Sequence, residues 1–219
     1  MTSGPRSVAG LSGTGLLADD LYLVAHHEVS GKPYVQPRAL GLGLAGGLLA
    51  ELVLAGHVGV WRDEVVVAGH VPSEEGLAGR LISLVASEHE RHPVRDWLLF
   101  LSPTVGTDVA KRLEHAGYLR RAGSRWHRER WAPMDPDWAF APLLRVWAAL
   151  DPTRPLTARG AALAGLAAAC GLGFRLTECA PSSACRPVHA AVAHLEPGMR
   201  ELIAHTQAAV DSALLAHRV

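Results

Sequence analysis

Lysine is almost missing from this 219-residue chain: Lys32 and Lys111 are the only two, and arginine supplies the rest of the 21 basic side chains. Acidic residues also number 21, so the formal net charge is zero and no bulk field favours nucleic acid or a membrane. Cys170, Cys179 and Cys185 are the only cysteines, odd in number and without CxxC spacing, which excludes a disulfide framework and a cysteine-based zinc site; idle thiols in a reducing compartment fit them. GxSxG, P-loop and HExxH motifs are absent, as are paired carboxylates at a recognisable spacing, and the chain therefore reads as a non-enzyme with no cofactor and no metal. Residues 1–15, MTSGPRSVAGLSGTG, lack the charged start and apolar core of a signal peptide. Residues 1–14 are expected to be a disordered lead-in, followed by one domain over 15–219.

What the chain does have is a long apolar stretch at residues 39–56, ALGLGLAGGLLAELVLAG, whose single charge is Glu51. Leu40, Leu44, Leu48 and Leu52 recur every four residues, with Leu49 and Val53 widening that face, the spacing of a helix that is apolar nearly all round. A bilayer span needs roughly 20 apolar residues. This run is shorter, is charged near its middle and carries five glycines, so it predicts a buried core helix. Gly41-Leu42-Gly43-Leu44-Ala45-Gly46 matches GxGxxG, but Pro37 and Arg38 just before it make a poor parallel strand, and helix packing is the better account of the glycines.

Around this helix the pattern is mainly α with two β-hairpins. A helix is expected over 15–27, with Asp19 and Asp20 near its start and a strand as the rival reading, and a turn at Ser30-Gly31-Lys32-Pro33. Residues 57–61 and 65–68 read as a hairpin around Arg62-Asp63-Glu64. A helix begins at Pro72; a short one covers 93–101; another, capped by Thr107, covers 108–116 and stops at Gly117. Residues 118–121 and 125–131 form the second candidate hairpin. Helix, glycine stop and hairpin thus occur twice, the local pattern of a winged helix. Helices at 142–150, 157–170, 187–195 and 197–218 complete the chain, with 171–185 read as loop. The histidine pairs His26-His27 and His89/His92 lack a second ligand group and are read as incidental.

The strongest charge feature is residues 111–131, KRLEHAGYLRRAGSRWHRERW. Lys111, Arg112, Arg120, Arg121, Arg125, Arg128 and Arg130 stand against Glu114 and Glu129, a net of +5 that the remainder of the chain balances. Trp126 and Trp131 are interleaved with them. Arginine forks suit phosphate, and tryptophan suits a membrane interface or a stacked base. A lipid-phosphate patch, a solvated hairpin and a nucleic-acid wing all use such residues; Asp108 and Glu114 on the helix before the hairpin make nucleic acid the weaker partner.

Several blocks, in order, resemble the Golgi phosphoprotein 3 family in an actinobacterial branch: Leu17-Ala18-Asp19-Asp20-Leu21-Tyr22-Leu23, the segment from Leu44 to Gly56, Ala110-Lys111-Arg112-Leu113-Glu114-His115-Ala116-Gly117-Tyr118-Leu119, Pro133-Met134-Asp135-Pro136, and the helix at 157–171. The resemblance covers nearly the whole of 15–219. It implies a mainly helical fold with a hairpin that eukaryotic members use for membrane contact and oligomerisation. Those members bind phosphatidylinositol 4-phosphate at the Golgi and link cargo glycosyltransferases to coat. The headgroup pocket of the family, one Trp and several Arg, aligns with Gln36, Ala45, Gly106 and Asp108, so none of its residues carries over; Arg38 and Arg112 stand nearby as substitutes. The expectation is a cytoplasmic adaptor, reversibly bound to the inner face of an anionic membrane through Arg38, Arg112, Arg120, Arg121, Arg125, Trp126, Arg128, Arg130 and Trp131. A client protein and self-association through the hairpin are possible partners. The alternatives are a winged-helix nucleic-acid binder and a scaffold without lipid ligand.

Overall fold

Helix α2, Pro37–Leu54, is the axis of the molecule and packs against α1 (Leu17–Val24), α4 (Val94–His115), α6 (Ala158–Ala169) and α9 (Pro197–Leu215). The computed structural model describes residues 14–68, 76–88, 90–122, 130–177 and 185–216. Pro37 opens α2 at a position whose N–H needs no helical partner. At its other end Gly56 takes φ +74°, the His57 N–H reaches Leu52 O at 3.0 Å and the Gly56 N–H reaches Val53 O at 3.1 Å, a Schellman stop. Gly117 ends α4 and Gly171 ends α6 with the same bond pattern, so glycine at these points turns a helix abruptly into the next segment. By length and composition α2 passes as a membrane span, but 78% of that window is buried inside the protein, which makes it a core helix.

The fold is mainly α, with two small antiparallel sheets of two strands each among the described residues. In the first, β1 (Val58–Trp61) pairs with β2 (Glu64–Val67) in the register Val58↔Val67 to Trp61↔Glu64. Arg62 and Asp63 form the two-residue turn, both with left-handed φ of 51° and 66°, as a tight hairpin with right-handed strand twist requires. In the second, β3 (Leu119–Arg121) pairs with β4 (Trp131–Pro133), Leu119 opposite Pro133 and Arg121 opposite Trp131. The return strand therefore lies later than the expected 125–131. Arg125, Trp126 and Arg128 fall outside the described residues, as do His89, Cys179 and the expected lead-in apart from Thr14.

The two short helices expected at 93–101 and 108–116 are one helix of 22 residues, α4. Pro103 lies inside it and cannot donate to Leu99 O, but the Ser102 hydroxyl donates to that carbonyl at 3.1 Å and replaces the missing bond. Thr107 therefore sits mid-helix and caps nothing. Residues 108–116 do not form a separate recognition helix, because Val109, Ala110 and Leu113 at its heart are fully buried. Helix α3 (Gly76–Ser87) follows the first hairpin and α5 (Pro136–Leu150) the second, the latter starting earlier than expected because the Asp135 carboxylate accepts from the Asp137 N–H at 2.9 Å. Thr157 caps α6 through the Gly160 N–H at 3.1 Å. The expected loop at 171–185 contains a short helix, α7 (Gly173–Thr177), before α8 (Val188–Ala193). Cys170 is buried, which pushes its thiol up to about 12 and makes it inert, while Cys185 is exposed and free.

Candidate functional site

The glycine at position 31 brings the second hairpin down onto the N-terminal turn. Gly31 has φ +62°, and a Cβ there would stand 2.0 Å from Trp131 O, so only glycine lets strand β4 lie against the turn that follows α1. The close approach closes one side of a groove of about 390 Å³. Tyr22 from α1 and His26 just beyond its end form its floor, Pro37, Leu40 and Gly41 the start of α2, and Ser102, Pro103, Gly106 and Thr107 the middle of α4. Arg130 and Trp131 complete the wall from the hairpin.

Arg130 is the cation of this groove. Its Nη2 donates to Ser30 O at 2.8 Å, a neutral partner that fixes the side chain without cancelling its charge. His26 adds no second charge at neutral pH. Burial lowers its imidazole to about 4, against the opposing pull of the Tyr22 carbonyl, which lies 2.6 Å from Nδ1. The ring stacks on Tyr22 with centroids 4.0 Å apart, and burial raises the Tyr22 phenol to about 12. The groove thus combines one fixed guanidinium, the Thr107 hydroxyl, and apolar walls, a lining suited to a single anionic group joined to an apolar body.

His26 makes a pH prediction. Its folded pKa lies below the ordinary 6.5, so the unfolded chain takes up the proton first and stability is lost as pH falls from about 6.5 to about 4. The full cost is about 3 kcal/mol. Asp19, Asp20 and Glu51 titrate in the opposite sense over part of that range, so the readout is the difference between wild type and His26→Gln. Chemical denaturation at pH 7 and pH 4.5 should show wild type losing more stability than the variant; parallel profiles would show that His26 titrates normally.

The other sequence candidates are dispersed. Trp131 is not an outward anchor: it is 7% exposed, and its Nε1–H donates to Glu114 Oε2 at 3.3 Å. Arg121 donates to the same carboxylate at 3.1 Å, so Glu114 draws both residues onto the end of α4. Arg120 and Arg38 are exposed, Arg120 on β3 and Arg38 in the first turn of α2. Arg112 is not a surface substitute for a pocket arginine. It lies between two buried acids, with Nη2 2.7 Å from Asp19 Oδ1 and 3.1 Å from Glu51 Oε1, and Glu51 Oε1 also accepts the Ala18 N–H at 2.8 Å. Burial raises both carboxyls above their ordinary range and outweighs the opposing pull of Arg112. Its guanidinium joins α1, α2 and α4, which is a structural role.

Of the positions aligned with the headgroup pocket, Gly106 lines the groove and Gln36 precedes Pro37 at its edge, Ala45 is fully buried, and Asp108 is half-buried on α4. Sequence reasoning missed Tyr22, His26, Ser102 and Thr107, which carry no motif. It also missed Asp63, Glu201 and His205, whose ligand atoms lie within 4.8 Å of one another where the first hairpin meets α9. Each already has a protein partner: His205 Nε2 is 2.7 Å from Asp63 Oδ1, and Glu201 Oε1 accepts the Asp63 N–H at 2.5 Å.

A family model described as Golgi phosphoprotein 3 (GPP34) matches residues 17–213, which include the groove, α2 and both hairpins. No curated protein matches the chain.

Proposed function

The chain belongs to the Golgi phosphoprotein 3 family, and from that membership we propose that it is a peripheral membrane protein that takes an anionic lipid headgroup in the groove beside its second hairpin. The observation that carries this reading is Arg130, held over the groove by a neutral carbonyl, with its charge uncompensated among the described residues. A phosphate seated beside Arg130 would have the Thr107 hydroxyl within the same lining, while Pro37, Leu40 and Pro103 face the apolar part of the lipid. Arg120 on the same hairpin adds long-range attraction from an exposed position. Headgroup recognition in this reading rests on one guanidinium from the hairpin rather than on arginines at positions 45, 106 and 108. Selectivity for a phosphomonoester on a particular inositol carbon is correspondingly weaker than in the eukaryotic members.

Each exposed arginine near an anionic surface contributes about 1 kcal/mol, so neutralising two should weaken binding roughly thirtyfold. Flotation with phosphatidylcholine vesicles containing phosphatidylglycerol should carry the wild type at low salt, lose it at high salt, and carry Arg120→Gln/Arg130→Gln much less well. Vesicles that leave the wild type behind in dilute buffer, or that carry both proteins equally, would overturn the reading.

A further inference from the structure

A second cavity, of about 350 Å³, opens between α1, α5 and the start of α6. Three arginines converge on it from separate stretches of chain: Arg145 from α5, Arg154 from the α5–α6 connection and Arg159 from the first turn of α6. One carboxylate, Asp20, stands among them, 2.5 Å from Arg145 Nη2. The ion pair consumes one cation and leaves Arg154 and Arg159 in excess. Arg154 is 3.7 Å from Asp151, a loose contact between exposed side chains, and Asp151 is already held by the Thr153 N–H and hydroxyl. Arg159 makes no hydrogen bond or ion pair among the described residues, although its charge reaches Asp20 across the cavity.

The backbone adds to this positive lining. Thr157 caps α6 by accepting the Gly160 N–H, which leaves the Ala158 and Arg159 N–H groups at the head of a 12-residue helix without a protein acceptor among the described residues. Ala148, Pro155 and Leu163 give the cavity an apolar side. We infer that this cavity is a binding site for a phosphate monoester, its oxygens gripped by Arg154, Arg159 and the first N–H groups of α6, and its carbon body against the apolar side. Asp20 forms part of the polar lining and holds Arg145 in place. The volume suits a small phosphorylated molecule or one lipid headgroup, and the chemistry at the phosphate is the same for both.

The test uses the full chain and three probes: glycerol 3-phosphate and inorganic pyrophosphate in solution, and vesicles containing phosphatidic acid. At constant ionic strength the soluble probes should raise the unfolding temperature saturably and shift the amide resonances of Ala158 and Arg159. Arg154→Gln/Arg159→Gln, a change of two exposed side chains, should weaken binding at least about tenfold. Soluble probes without effect, together with flotation on phosphatidic acid that the same double variant loses, would assign the site to a lipid phosphate. No saturable response to any probe, or an equal response from wild type and the double variant, would overturn the inference. The Ala158 and Arg159 amide shifts, at the head of α6, separate this cavity from the groove beside the hairpin, where a phosphate would sit against Arg130.

Discussion

Arg112→Met should destabilise the protein by about 3–5 kcal/mol, because it strands two buried carboxyls that now share one guanidinium. The Asp19 and Glu51 side chains are 1% and 6% exposed, so water cannot replace the lost partner. Urea unfolding measures the loss directly, and a deficit below about 1 kcal/mol would refute the account. The rescue is as informative as the damage. Adding Asp19→Asn and Glu51→Gln removes the stranded charge, while the amide oxygen that replaces the carboxylate on α2 can still accept the Ala18 N–H, and most of the stability should return. The pH dependence has a definite sign. Both carboxyls are raised in the folded state, so the native protein holds their protons longer than the unfolded chain and stability falls as pH rises above the ordinary carboxylate range. Removing Arg112 deletes the pull that opposes this shift, so the deficit of the single variant should be smaller at pH 4 than at pH 7.

This network shows what the sequence could and could not disclose. Glu51 is the lone charge in the apolar run 39–56, and a charge so placed demands a buried partner; that demand is visible in the sequence. The identity of the partner is not, since Arg112 lies 61 residues away and reads there as one member of a basic cluster. The core helix, its glycine stop and the first hairpin were legible because each rests on local rules: leucine spacing, left-handed glycine and a polar turn between two β-rich runs, although Glu64, read as part of the turn, pairs with Trp61 in the strand. Helix α4 was misread because Thr107 has the chemistry of a cap, and the repair at Pro103 by the neighbouring Ser102 hydroxyl depends on a geometry that only the formed helix provides. The groove was least legible. Its lining comes from α1, the turn after it, α2, α4 and the hairpin, and the bond that orients Arg130 spans 100 residues to Ser30. Trp131 illustrates the ambiguity of an aromatic among arginines. Its indole was equally suited to lipid or core, and Glu114 together with the Gly31 contact turned it inward.

Gly41 and Gly106 face the same helix pair and should respond with opposite signs. A Cβ on Gly41 would stand 2.4 Å from Ser102 O, a backbone atom that cannot swing aside, so α2 and α4 meet there with no room for a methyl group. Alanine gains about 1 kcal/mol over glycine in helix propensity. Overpacking costs about 1–3 kcal/mol for one inserted group and more for a branched one. Gly41→Ala should therefore be neutral to destabilising, and Gly41→Val should lose at least about 3 kcal/mol. At Gly106 the nearest atom to a new Cβ is Leu44 Cδ1 at 3.9 Å, an ordinary contact, so Gly106→Ala should gain up to about 1 kcal/mol. Thermal or urea unfolding of the variants decides the matter, and a stabilising Gly41→Ala would show that the two helices part easily. The same measurement bears on the groove, because Gly41 and Gly106 both line it. Prising α2 from α4 at Gly41 moves the Pro37–Leu40 wall away from Arg130, so a Gly41→Val protein that still folds should float less well on anionic vesicles, even though every arginine is intact.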